Sequence, residues 1–509
     1  MAMEQRSPGN SQFESVAAAS EGQEVAGTAG WNLKNSYARL PAEFYTTAAP
    51  TAVRAPKLVV LNAAVARLLG LEPTLLNTAE QVACLAGNQL LPGSAPLAQA
   101  YAGHQFGGFT MLGDGRAILL GEQQTPSGAL MDVQLKGAGQ TAYSRRGDGR
   151  ASLGPMLREY IISHAMYALG IPTTLSLAVV ATGEPVYRNH AEPGAVLTRI
   201  AASHLRVGTF QYAATRQDIP ILRALADYTI HRHFPQIKDP SNPYLELLRM
   251  VTERQAALVA QWMLVGFIHG VMNTDNMSIA GETIDYGPCA FMNGYDPGTV
   301  YSSIDHQGRY AYQNQPAICQ WNLARFAETL IPLLHDDTDQ AIVLATEVIR
   351  QFPDIYQQHW LSGMRRKLGM LEIQSDDQSL VDQLLDWMNR HQADFTNTFR
   401  DLTMDRCQAG VYDDAQFQHW LSRWKHHLAV AGIAWNKAQA MMQQSNPAVI
   451  PRNYRVEEAL SAAVERHNLE PLNRLLIALS KPYDESPANE PYRQPPPDGD
   501  VGYSTYCGT

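Results

Sequence analysis

Past about residue 210 the sequence reads as one amphipathic helix after another, and a single polar island at 271–300 breaks the run. "ILRALADYTIHRHF", "YLELLRMVTERQAALVAQWMLVGFIHG", "LARFAETLIPLL", "QSLVDQLLDWMNRHQ" and "AQFQHWLSRWKHHLA" all carry apolar residues at helical spacing. Ahead of them, residues 100–150 are Gly-dense, and 100–205 read as a mixed sheet carrying one prominent helix. A sheet-rich first part followed by a helical second part predicts an α+β chain of two lobes, with a site in the cleft between them. The length, 509 residues, also exceeds what one hydrophobic core usually fills.

In the first part, "RAILLGEQ" and "LMDVQLKG" alternate as strands do, and "TPSG" between them is a turn, so a hairpin is predicted. "SLGPMLREYIISHAMYALG" follows. Its Leu153, Met156, Leu157, Tyr160, Ile161 and His164 fall on one helical stripe, and Gly170 with Pro172 ends it. "LSLAVVATGEPVYR" and "GAVLTRIA" predict two more strands.

The island reads "HGVMNTDNMSIAGETIDYGP". The helix before it is expected to stop at Gly270, a residue suited to a C-cap. "MSI", "AGE" and "TID" then suggest a small hairpin that puts Met277 opposite Asp285 and Asn276 next to that aspartate. An amide oxygen and a carboxylate so placed can share one hard cation, and Asp275 beside them is free to take a proton. Phosphoryl and nucleotidyl transfer need such a set. Plain turn chemistry would use the same residue types.

Lys136 ends a strand and Glu159 lies on the next helix. Paired, they would orient the lysine onto phosphates. By periodicity alone Glu159 falls off the apolar stripe, as a surface glutamate would, and a strand-end lysine is usually solvated. "GDGR" occurs at Gly113–Arg116 and again at Gly147–Arg150. Such loops admit a phosphate near the backbone with arginine as its fork of donors, or are ordinary turns. Arg199 and Arg206 stand near the junction of the two lobes. "GAGQTA" at Gly137–Ala142 matches a dinucleotide fingerprint, but a loop follows where a helix must start, so that reading fails. No GxxxxGK[ST], GxSxG or HExxH occurs.

Composition narrows the partners. A net charge of −10 argues against a bulk nucleic-acid binder. The five cysteines, at 84, 289, 319, 407 and 507, form no CxxC pair, which argues against a zinc ribbon and for a reducing compartment. No run of 18 apolar residues predicts a membrane span, and the first 30 residues carry four glutamates and one arginine without an apolar signal core. A cytoplasmic chain is expected. Residues 1–30 read as a disordered tail, and the Pro-rich segment 481–509 as a tail or extended strap.

Taken together, "AGHQFGGF", "LGDGRA", "DVQLKGAGQTAYSRRGDGRASL", "REYIISHAMYALGIPTT", "HGVMNTDNMSI", "TIDYGP" and "DHQGRYAYQNQP" resemble the selenoprotein O (SelO/YdiU) family of protein adenylyltransferases, over nearly the whole chain. The resemblance implies a protein-kinase-like (pseudokinase) fold, with an N-lobe over 31–205 and a C-lobe over 206–480. It implies ATP bound in a flipped pose, with AMP passing to a protein Ser, Thr or Tyr hydroxyl. By position, Lys136 resembles the phosphate-binding lysine and Glu159 its ion-pair partner. Gly113, Gly115 and Arg116 resemble the glycine-rich loop, and Asp148, Gly149, Arg199 and Arg206 the further nucleotide contacts. Asp275 matches the proton acceptor. Asn276 and Asp285 match the ligands of Mg2+ or Mn2+, and Asp285 also approaches the nucleotide.

Family members can carry a redox-active residue near the C-terminus, and Cys507 holds that place here. The resemblance implies a regulatory disulfide from the tail to the segment after Asp285, where Cys289, four residues on, could be the partner; "VYSSID", where the family cysteine would stand, departs from the pattern and has none. A conventional phosphotransferase, a UMP-transferring enzyme and a non-catalytic nucleotide scaffold are the competing readings. "HGVMNTDN" lacks the His-Arg-Asp order of protein kinases, which favours the scaffold; retention of Asp275, Asn276 and Asp285 opposes it.

Overall fold

The computed structural model describes residues 29–238, 241–497, 499 and 502–506. Eleven strands precede residue 202: β1 (Leu33–Lys34), β2 (Tyr45–Thr47), β3 (Lys57–Leu61), β4 (Leu97–Gln99), β5 (Ala102–Gln105), β6 (Gly108–Met111), β7 (Ala117–Gln124), β8 (Leu130–Lys136), β9 (Ala151–Ser152), β10 (Leu175–Tyr187) and β11 (Ala191–Ala201). Nine of them make one sheet in the order β2-β4-β7-β8-β11-β10-β3, with β1 added to β7 and β9 to β11. The other two, β5 and β6, form a separate hairpin.

The β7–β8 hairpin is the predicted one. Gly128, at φ 85°, makes the turn, and Thr125 N–H donates to Ala129 O across it. Alternation along β8 sends Val133 and Leu135 into a core on one face and brings Gln134 and Lys136 to the other. The strands reach further back along the chain than the sequence suggests. β1 to β4 come from residues 33–99, where short pieces of two to five residues give little alternation to read.

The helix Leu153–Ala168 has the predicted bounds, but its burial corrects the reading of Glu159. Arg158, Glu159, Tyr160, Ile161 and Ile162 are all buried in succession. One side of this helix packs on β10 and β11, and another on the helices Asn453–Arg466 and Glu470–Leu479. A helix enclosed on two sides has no solvent stripe. Glu159 is therefore only 3% exposed.

Two expectations for the island are corrected. The helix Pro243–Val265 ends at Gly266, in the left-handed region at φ 71°, four residues before the expected Gly270. Phe267–Ile268 (β12) then pairs with Ala290–Phe291 (β13), which pulls the chain out of the helix. The hairpin that would set Met277 opposite Asp285 is not formed. Ser278 bridges Arg206 and Thr283 bridges Thr173, so the loop pairs with neighbouring chain instead of with itself. Val207 N–H donates to Met277 O at 2.9 Å and Thr174 N–H to Thr283 O at 3.0 Å.

Helices fill the second part, and the longest, Thr338–Lys367, runs 30 residues. One large hydrophobic core joins residues of the sheet, the Leu153–Ala168 helix and the C-terminal helices. No helix among the described residues is long and apolar enough to cross a membrane. Of the expected N-terminal tail, residues 1–28 lie outside the described residues. Ala29 belongs to the body, buried at 3% exposure, and a side chain at Gly30 would press on Gly70 O. Over its described residues the C-terminal segment lies against the body. It holds the 3₁₀ turn Pro487–Asn489 and the short helix Glu490–Arg493, and Thr505 N–H donates to Tyr301 O.

Candidate active site

A cleft of about 1130 Å³ lies between the sheet and the island, lined by residues of both parts. Its volume suits a nucleotide-sized ligand. Gly115, Arg116, Lys136, Glu159, Arg199, Arg206, Asp275, Asn276 and Asp285 all line it.

Asp285 is the centre of the set. Lys136 Nζ lies 3.0 Å from its Oδ1, Arg199 Nη1 2.6 Å from the same oxygen, and Arg206 Nη1 2.6 Å from Oδ2. Burial works against the charged carboxylate, but these three cations hold it well below the usual range. Glu159 takes the outer side of the cations, 2.6 Å from Lys136 Nζ and 3.3 Å from Arg199 Nη1. Arg199 also forks onto Gln134 Oε1, which the β8–β11 register places directly opposite it. Asp285 has φ 64°, a left-handed conformation that Asp tolerates better than most residues and that recurs at functional sites.

Asp275 sits on the 3₁₀ turn Thr274–Asn276, 6% exposed. Burial pushes its carboxyl up to about 6, with Arg206 pulling the other way. Arg206 Nη1 donates to the backbone oxygen of Asp275 at 2.7 Å. Asn276 donates its amide N–H to Val271 O, which leaves the amide oxygen as the atom it can offer a cation.

The first "GDGR" is stitched to the segment that follows Lys136. Thr141 Oγ1 donates to Asp114 O at 2.6 Å, and Ser144 Oγ donates to Gly115 O. A side chain at Gly113, whose φ is 138°, would collide with the Tyr143 ring. Gly115 and Arg116 reach the cleft; Gly113 serves the turn behind them.

The second "GDGR" is placed differently. Asp148 and Gly149 do not line the cleft. Asp148 pairs with Arg188 at 2.9 Å, and a side chain at Gly149 would strike Gly139. Arg145 of the same turn does line the cleft, with Nη2 donating to Met111 O at 2.6 Å.

Cys289 is wholly buried, and burial pushes its thiol up to about 12. Cys507 lies outside the described residues. Two residues before it, Thr505 Oγ1 donates to Pro288 O at 2.7 Å, next to Cys289.

Sequence reasoning passed over Tyr101, Gln105 and Gln134. Tyr101 carries the Arg206 guanidinium 4.7 Å above its ring. Gln134 was readable from strand alternation, two residues before Lys136. Gln105 lies in "AGHQFGGF", which holds no charged residue to draw the eye. A separate group, Asp376, Asp377 and His427, lies away from the cleft lining; His427 pairs with both aspartates and Arg365 with Asp377.

The family model described as protein adenylyltransferase SelO matches residues 29–480. A protein nucleotidyltransferase YdiU of Geobacillus kaustophilus is 59% identical over 482 residues, covering 94% of this chain and all of that one. Proteins of the same name from Bacillus cytotoxicus and Halalkalibacterium halodurans are each 58% identical, over 94% of this chain and 98% of theirs.

Proposed function

The chain belongs to the SelO family of protein adenylyltransferases, and on that premise we propose that its cleft passes AMP from ATP to a Ser, Thr or Tyr hydroxyl of a protein substrate. The observation that carries this reading is the grip of Lys136, Arg199 and Arg206 on Asp285, with Asp275 one loop away and its carboxylate in no salt bridge among the described residues.

In the reaction, the acceptor O–H bond breaks and its proton goes to the Asp275 carboxylate. The hydroxyl oxygen bonds to the α-phosphorus of ATP, and the bond to pyrophosphate breaks. Lys136, Arg199 and Arg206 hold and neutralise the phosphates, and Glu159 keeps Lys136 and Arg199 in place. Gly115 and Arg116 approach the nucleotide from the sheet side. Asp148 and Gly149 take part only where the nucleotide reaches beyond the cleft lining to the Arg188 corner.

The donor set fits a hard divalent cation. Asn276 offers an amide oxygen and Asp285 a carboxylate that faces three cations, an excess of positive charge suited to a polyphosphate–metal complex. Mg2+ or Mn2+ held there would supply Lewis-acid neutralisation of phosphate charge. We place the chain on a protein-kinase-like fold, with the sheet-rich N-lobe at 31–205, the helical C-lobe at 206–480 and the strap at 481–509. We also propose that the strap carries a Cys289–Cys507 disulfide under oxidising conditions, supported by the Thr505–Pro288 contact beside Cys289.

The test of AMP transfer uses the full chain, a protein acceptor and ATP labelled at the α or the γ phosphate. Label kept on protein from the α position alone is the expected result. Label from γ alone would make the chain a conventional kinase.

A further inference from the structure

We infer that Gln105 is a positioning residue that holds the Asp275 carboxylate in its working orientation, and that the β5–β6 hairpin delivers it there. The inference rests on the reading of Asp275 as proton acceptor.

Three successive hairpin residues each grip the catalytic loop. His104 N–H donates to Thr274 Oγ1 at 2.7 Å, Gln105 Nε2 to Asp275 Oδ2 at 3.3 Å, and Phe106 N–H to Asn273 Oδ1 at 3.1 Å. About 170 residues of chain separate the two partners, so the contact is tertiary and not a local turn. Further bonds brace both sides. Gln211 joins the His104 ring to Thr274, and the Tyr310 hydroxyl donates to Asn273 Oδ1 at 2.6 Å.

Gly103 completes the fit. Any side chain there would collide with the Asp275 carboxylate. Asp275 Oδ1 is buried and makes no hydrogen bond among the described residues. That leaves Oδ2 as the oxygen the cleft can reach, and Gln105 is the side chain that donates to it. A carboxylate oxygen has a second lone pair for an incoming hydroxyl proton. Without the amide donor the carboxylate can rotate about its Cα–Cβ and Cβ–Cγ bonds, and misalignment of a reacting group by about 1 Å costs roughly 100-fold.

The experiment compares wild type, Gln105→Met and Asp275→Ala in steady-state AMP transfer from α-labelled ATP, alongside dissociation constants for a non-hydrolysable ATP analogue and melting temperatures. Gln105→Met keeps the length of the side chain and removes the donor. The expected result is kcat lower by about 10- to 100-fold with KM for ATP, analogue affinity and melting temperature unchanged. Should that variant fail to fold, Gln105→Glu, of the same shape with the donor replaced by an acceptor, is expected to lose at least as much kcat. Wild-type kcat in either folded variant, with Asp275→Ala inactive, overturns the inference alone. A kcat loss matched by an equal loss of analogue affinity overturns it too, since the role would then be nucleotide binding. Full activity in Asp275→Ala removes the proton-acceptor reading, and the inference falls with it.

Discussion

Asp285 is a structural keystone, and in the proposed reaction the same carboxylate is also a ligand. Three cations converge on it within 3.0 Å, and each has little exposure of its own. Removing the carboxylate would leave Lys136, Arg199 and Arg206 facing one another, with Glu159 still paired to the first two and Arg206 without a salt bridge among the described residues. Breaking a buried ionic set by deleting one partner typically costs about 3–5 kcal/mol, because the remaining charges stay desolvated. Asp285→Ala is therefore expected to abolish AMP transfer and to lower unfolding free energy by about that amount, read in a urea titration with α-label transfer alongside. A variant with wild-type stability would mean the cations relax into water, and measurable turnover would remove Asp285 from the nucleotide and metal contacts. Saturating ATP with its metal is expected to raise the stability of wild type and leave that of Asp285→Ala unchanged, since only in wild type do the phosphates meet an intact ligand set.

Among the elements, the 30-residue helix Thr338–Lys367 ends on an unusual residue. Lys367 is 2% exposed, and burial pulls its ammonium down to about 7. The Phe399 ring lies 4.1 Å from Nζ and favours the charged form, so part of that fall is recovered. The folded state thus holds fewer protons than the unfolded chain between about pH 7 and the ordinary lysine range near 10.5. Stability from this site rises with pH across that window, and the penalty is largest below it. Lys367→Met is expected to stabilise the fold by about 1–3 kcal/mol at pH 6.5 and to lose that advantage by about pH 10. Urea titrations at the two pH values check it, and an equal effect at both would show that Lys367 is not desolvated. The elements also show where sequence reading works. The β7–β8 hairpin and the Leu153–Ala168 helix were legible because turn residues and apolar spacing are local signals. Glu159's burial was not legible, because its partners Lys136 and Arg199 come from two separate strands, and the helices packed on the other side of its own helix, Asn453–Arg466 and Glu470–Leu479, lie some 300 residues on. The hairpin expected around Asn276 and Asp285 failed for the same reason. Ser278 and Thr283 found partners at Arg206 and Thr173, which no local pattern announces.

At the scale of the whole molecule, two C-terminal segments converge on the helix that holds Glu159. Arg158, its neighbour, pairs with Glu457 of a C-terminal helix, donates to the Tyr503 hydroxyl of the strap at 3.0 Å, and reaches Cys289 O. Thr505 is tied to both Pro288 and Tyr301, so the strap bridges the segment just past Asp285. A disulfide from Cys507 to Cys289 would lock that bridge while closing a long loop, and the cavity wall formed by Tyr503 to Tyr506 would lose its freedom to part. The Cys289 thiol, buried and pushed up to about 12, is a poor nucleophile at neutral pH, so the link is expected to form slowly and to need an added oxidant such as oxidised glutathione. Each link formed takes two thiols to one disulfide and reduces one molecule of oxidised glutathione to two thiols. Non-reducing peptide mass spectrometry after that treatment is expected to find the Cys289 and Cys507 peptides joined, with AMP transfer changed by the link and restored by dithiothreitol. Cys507→Ser should transfer AMP at one rate under both conditions. Two free thiols after prolonged oxidation would leave the strap as a purely hydrogen-bonded brace, and a redox response that persists in Cys507→Ser would assign it to another cysteine.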